Sequence, residues 1–84
     1  MSSVFDFSYI SQVKPLEDYK LSLVFENGKQ GVFDMKPYLD KGVFTVLKDI
    51  EKFNTVRVAW GTVAWGAELD IAPERLYSDS KMLN

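Results

Sequence analysis

The sequence predicts an α+β domain: a small, mostly antiparallel five-stranded sheet, made of a three-stranded meander and a C-terminal hairpin, with short helices between and after them. Three observations carry this expectation. "YKLSLVFENGKQGVFD" (residues 19–34) alternates its side chains in period two around an Asn-Gly pair. "VFTVLKDIEKF" (43–53) spaces Phe44, Leu47 and Phe53 close to helical intervals. "VAWGTVAWG" (58–66) says the same four letters twice, five residues apart.

Taken in order, Tyr9 to Lys14 reads as a first strand and "PLEDY" as the turn out of it. Tyr19, Leu21, Leu23 and Phe25 then define one buried face of a second strand. Asn27-Gly28 follows, and both residues tolerate the positive φ of a type I′ hairpin turn, so Gln30 to Asp34 returns antiparallel. Asp34 is placed to cap a short helix with Pro37 in its first turn, and Gly42 suits the left-handed position that ends it. Residues 35–41 and 44–53 are therefore expected as short helical turns, with Asp49 as a second cap, covering one face of the sheet.

The repeat fits neither a helix nor one continuous strand, because an odd offset reverses the face. A hairpin resolves it. With Val58 opposite Val63 and Val56 opposite Trp65, four apolar residues share one face, and Arg57, Ala59, Thr62 and Ala64 share the other. The two copies then have unequal jobs. Trp65 belongs to the core, and Trp60 sits at the turn beside Gly61.

After Gly66, Pro73 and Glu74 read as the first turn of a last helix, with the acid near its positive end. Asp70 is placed to accept backbone hydrogen bonds at that helix's start, and Leu76 and Tyr77 fold back onto the sheet. The chain is read as one domain over 1–84, with an ordered core over about 7–78 and a frayed tail at 79–84.

Composition narrows the function. A chain of 84 residues buries only about 60–65% of its unfolded surface, so its stability is modest and dimerisation would add buried area. The net charge is −2 and no basic stripe exists, which makes nucleic acid a poor partner. The chain contains no cysteine and no histidine. Disulfides, the usual zinc, copper and iron sites, and histidine-based triads all lack their residues. "MSSVFDFSYI" lacks the pattern of a signal peptide, and no stretch approaches the roughly 20 apolar residues of a membrane span. A cytoplasmic protein is the expectation.

Chemistry-bearing groups are equally sparse. Glu68, Asp70 and Glu74 form the one local acidic cluster. A catalytic pair would need their pKa values pushed apart in a cleft, whereas capping is the commoner role of such acids. EF-hand spacing, a phosphate loop and a dinucleotide fingerprint are all missing. The reading is a non-enzymatic protein with no catalytic residue, no metal and no cofactor. Trp60 is the large apolar residue the register cannot place in the core, so Trp60, Glu68 and Glu74 are the candidate partner-binding residues. The leading function is a protein-interaction module. The alternatives are a small-ligand-binding domain with an aromatic pocket between sheet and helices, and an accessory transcription-regulator domain.

Phe25-x-Asn27-Gly28, "VFDMKPYLDKGVFTVLKD", "GTVAW" and "DIAPERLY", in this order, resemble the bacterial family called domain of unknown function 2442. The resemblance runs from about Val13 to Tyr77. Its motif residues here are Asn27, Gly28, Trp65, Asp70, Pro73, Glu74, Leu76 and Tyr77, read as structural. The family pattern often has Pro-Asn or Pro-Asp after the tryptophan, where this chain has Gly66-Ala67. The resemblance implies a small α+β domain with no agreed activity and no catalytic residues. Its members are similar to genes beside small toxin-like proteins, which implies an antitoxin-like partner of a small basic protein encoded by a neighbouring gene.

Overall fold

Alternating burial along residues 20–25 organises the molecule: Leu21, Leu23 and Phe25 are sealed from solvent while Lys20, Ser22 and Val24 are half-buried. The computed structural model describes residues 8–67 and 69–83. Its strands are β1 (Ile10–Leu16), β2 (Lys20–Phe25), β3 (Gln30–Asp34), β4 (Arg57–Ala59), β5 (Thr62–Trp65), β6 (Leu69–Asp70) and β7 (Lys81–Met82). Among the described residues there are also two α-helices, α1 (Ile50–Phe53) and α2 (Pro73–Asp79), and 3-10 turns at Glu17–Tyr19, Lys36–Tyr38 and Gly42–Lys48.

The expected single five-stranded sheet is instead two antiparallel sheets. One has the order β1-β2-β3-β7 and the other β4-β5-β6. The meander and the hairpin do meet, since Ile10 N donates to Gly61 O at 2.7 Å. They do not continue as one ladder, for two reasons on β1. The register shifts between Ile10 and Gln12, and such a bulge breaks the run of donors and acceptors. Pro15, opposite Leu21, has no N–H to offer and is tolerated in a ladder only where its nitrogen faces away from the neighbour.

The Asn27-Gly28 turn of the meander differs in detail from expectation, while the turn expected within "PLEDY" falls at Glu17–Tyr19. Phe25 N donates to Lys29 O at 2.8 Å and Gly28 N to Phe25 O at 2.9 Å. Gly28 has φ +90°, and Asn27 is not left-handed. The connection is thus a three-residue loop with a bulged glycine rather than a two-residue type I′ turn. Asn27 spends its side chain instead, accepting from Lys29 N at 3.0 Å. At the other end, Asp18 and Tyr19 are both left-handed, at φ 63° and 59°. Asp18 is held there by an ion pair with Lys36, and Tyr19 by a hydrogen bond from its hydroxyl to Lys48 O.

The connection from β3 to β4 is helical in short pieces, as the spacing predicts. Asp34 Oδ1 accepts from Lys36 N at 2.9 Å and Asp49 Oδ1 from Glu51 N at 3.1 Å. Gly42 is left-handed at φ +48°. These turns deliver Leu47 and Phe53 to a core they share with Phe25, Phe33, Val63, Trp65 and Leu76. Trp65 is 2% exposed. Its indole N–H donates to Phe53 O at 2.9 Å, which satisfies the one polar atom that burial would otherwise strand.

β5 lies between β4 and β6 and is buried along its whole length. Thr62 and Ala64, expected on an outer face, are covered because β1 and α2 both pack against this strand. Thr62 meets the demand of burial by donating its hydroxyl to Ile71 O.

Two further corrections concern the C-terminal part. Asp70 does not cap α2; it pairs with Ala64 in β6, and the helix begins after Ala72 with no side-chain cap. Pro73 at the start of the helix removes one N–H that would need a partner, so the missing cap costs little. The tail expected to fray over 79–84 carries β7, in which Met82 lies opposite Gly31 and Lys81 opposite Val32. Gly31 admits it, because a Cβ there would stand 3.2 Å from Met82 Sδ and from Ser80 Cβ.

Candidate docking site at the β4–β5 hairpin

The repeat pairs as expected at its centre, with Arg57 opposite Ala64, Val58 opposite Val63 and Ala59 opposite Thr62. The expected Val56–Trp65 pair lies outside the ladder, where Trp65 pairs with Leu69 instead, and Val58 is exposed rather than buried. Two residues remain for the turn, Trp60 at φ 55° and Gly61 at φ 76°. Positive φ at both central positions is the type I′ geometry that continues the twist of the strands. Gly61 is required twice over. Its φ is left-handed, and a Cβ there would sit 2.6 Å from Tyr9 Cδ1; its carbonyl also takes the Ile10 N–H bond already described. The tip is therefore pinned to the start of β1.

Trp60 has no such structural reason. It is 72% exposed, in a conformation where asparagine, aspartate or glycine is the usual occupant. Tyr9 is 49% exposed beside it, with its ring against Gly61. The guanidinium of Arg57 lies 5.8 Å from the Trp60 ring centroid and donates from Nη2 to Gly66 O at 2.7 Å. It thus spans the short hairpin and restrains the indole, a cation–π contact.

The other candidate residues separate into groups. Asn27 and Tyr77 are joined: Asn27 Nδ2 donates to Tyr77 Oη at 3.2 Å. The Tyr77 ring meets Phe25 edge-on at 5.0 Å between centroids. Leu76 and Trp65 are core, Gly28 is a turn residue, and Pro73 starts α2. Glu74 is exposed in the first turn of α2. Glu68 lies outside the described residues; its neighbour Leu69 pairs with Trp65, at the end of β5 away from the Trp60 turn. Among the described residues, the charge seen against the Trp60 ring is that of Arg57. Sequence reasoning missed Arg57 and Tyr9. The position of Arg57 on the strand entering the turn was a usable signal, whereas nothing in the sequence links Tyr9 to Gly61.

Two surface cavities lie between the 3-10 turns of residues 36–48 and the β5–α2 stretch. The larger, about 580 Å³, is walled by Val43, Val46 and Leu69 over an edge of Trp65. The smaller, about 390 Å³, carries Tyr38 and Phe44. Among the described residues no three acidic side chains gather to hold a metal, and no helix is long and apolar enough to cross a membrane.

Fold and site together define a small α+β domain that displays a pinned aromatic turn at the junction of its two sheets. The family model described as protein of unknown function (DUF2442) matches residues 10–81, and the chain belongs to that family. The match covers every strand from the first residue of β1 to the first residue of β7. No curated protein and no solved structure matches the chain.

Proposed function

We propose that this chain is a non-enzymatic protein-interaction module that docks its partner through the Trp60 turn. One observation carries the reading: a tryptophan 72% exposed at a left-handed turn position. The conformation costs about 1–2 kcal/mol for a residue with a Cβ, and the exposed ring returns little to the fold. Asparagine or glycine would serve the turn better, so the ring is best explained by what it binds. Tryptophan is enriched among residues that dominate binding energy, and the pinning of Gly61 to β1 limits the entropy lost on docking.

The finer reading is an antitoxin-like role in the cytoplasm, with the product of a neighbouring gene as a small basic partner. The net charge of −2 supports long-range attraction to such a partner, and Arg57, the cation beside Trp60, would meet an acidic or aromatic group on it. The test is co-expression with the neighbouring gene product, followed by affinity measurement. Trp60→Ala is expected to weaken binding by about 2 kcal/mol or more while circular dichroism shows a folded domain. Full affinity in folded Trp60→Ala would overturn the site.

A further inference from the structure

Tyr38 stands where the turn of residues 36–38 meets β3 and α2. Phe33 stacks on its ring at 5.6 Å between centroids, and Phe44 meets it edge-on at 6.4 Å. Lys41 Nζ lies 5.7 Å from the same ring centroid. The Tyr38 hydroxyl donates to Asp79 Oδ2 at 3.1 Å, the oxygen that Arg75 Nη1 approaches at 3.7 Å. Tyr38, Lys41, Phe44, Asp70, Ile71 and Arg75 line the cavity of about 390 Å³.

Two cations from separate elements therefore reach one cavity. Among the described residues Lys41 forms no ion pair. Arg75 touches the Tyr38 oxygen and, at 3.7 Å from one guanidinium nitrogen, Asp79; a guanidinium has five N–H donors, so some remain for a ligand. The lining also includes the Phe44 ring and Ile71, which is 5% exposed, alongside the Asp70 carboxylate.

We propose that this cavity binds an aryl carboxylate, with the ring against Phe44 and Tyr38 and the carboxylate between Lys41 and Arg75. A guanidinium fork matches a carboxylate in two parallel hydrogen bonds, and lysine adds a point charge. Aromatic walls set at an angle accept a planar ring in edge or offset contact. The volume falls toward the small end of small-molecule sites, roughly 300–1,000 Å³, which suits one or two fused rings and is too small for a peptide. Asp70 is the opposing charge on the wall, so neutralising it strengthens binding. The site is separate from the Trp60 turn and stands whether or not that turn docks a protein.

The experiment titrates the full chain, isotopically labelled, with 2-naphthoate and separately with its neutral isostere 2-naphthamide. Saturable amide shifts are expected at Lys41, Phe44, Ile71 and Arg75, with the amide at least about tenfold weaker than the acid. Lys41→Ala and Arg75→Ala, both at exposed positions, are each expected to lose about tenfold in affinity, while Lys14→Ala, elsewhere on the surface, changes nothing. Asp70→Asn is expected to tighten binding. The proposal is overturned by no saturable shift at about 10 mM ligand, a concentration that detects even millimolar binding. It is equally overturned by amide and acid binding alike, by unchanged affinity in both cation variants, or by weaker binding in Asp70→Asn.

Discussion

Asn27 and Tyr77, fifty positions apart, share a hydrogen bond of 3.2 Å from Nδ2 to Oη. It ties the β2–β3 loop to the last turn of α2, and through Phe25 it reaches the core. Lys29 adds its ammonium 5.9 Å from the Tyr77 ring centroid. The bond gives the two residues a shared structural task.

Tyr77→Phe is expected to remove this bond alone, for about 0.5–1.5 kcal/mol. Tyr77→Ala also removes the edge-on contact with Phe25 and the buried ring area, for about 2–4 kcal/mol. Urea unfolding of both, and of Asn27→Ala combined with Tyr77→Phe, measures the coupling. Additive losses in that double variant would show the bond to be idle.

At the hairpin tip, stability and binding are expected to move in opposite directions. Trp60→Asn relieves the left-handed strain and is expected to stabilise the domain by about 0.5–1 kcal/mol while it removes the docking ring. Gly61→Ala drives a methyl group into Tyr9 and is expected to cost about 2 kcal/mol or more. Thermal melts read both signs.

Trp65→Ala is expected to damage folding itself, by about 3–5 kcal/mol. Trp65→Phe keeps much of the apolar contact but loses the indole bond to Phe53 O, which retains only the longer bond from Val56 N at 3.3 Å, so an intermediate loss is expected. Equal losses in Trp65→Ala and Trp60→Ala would contradict the division of the two repeats into core and tip.

Acid should erode two surface pairs. The hydrogen bond and then the charge of Lys36 hold Asp18 below its ordinary pKa, and Lys48 does the same to Asp40. A carboxylate with a depressed folded pKa contributes stability above its unfolded value and loses it as pH falls through the folded one. Lys36 is raised by its bond to Asp18, so its share is lost only as strong alkali deprotonates it. Melting temperature should therefore fall below about pH 4, and Asp18→Asn with Asp40→Asn should flatten that limb. An acid limb unchanged in the double variant would place the sensitivity elsewhere. Both pairs are exposed, so added salt should shrink the effect.

What the sequence revealed was local. The repeat dictated the Val58–Val63 register, since one offset alone collects the apolar residues, and Asp34 and Asp49 announced their turns by position. What it hid was made by distant partners. Tyr9 covers Gly61, so the hairpin meets β1 at its tip and a second sheet results. β7 depends on the space Gly31 leaves for Met82, and β6 holds only Leu69 and Asp70, too few residues to show a period. Arg57 read as an outer-face charge, and its place beside Trp60 became visible only once the turn had closed.

Pro15 bears on how copies of this molecule behave when crowded together. Beyond the contact at Ile10, the free side of β1 lacks an amide hydrogen at position 15. A strand laid along it would leave a carbonyl without a donor, a loss of about 1–3 kcal/mol if water is excluded. Growth of the sheet from chain to chain is thereby discouraged, as proline does on other open edges. The domain can present an aromatic turn to solvent while the β1 edge beside it resists pairing with another chain.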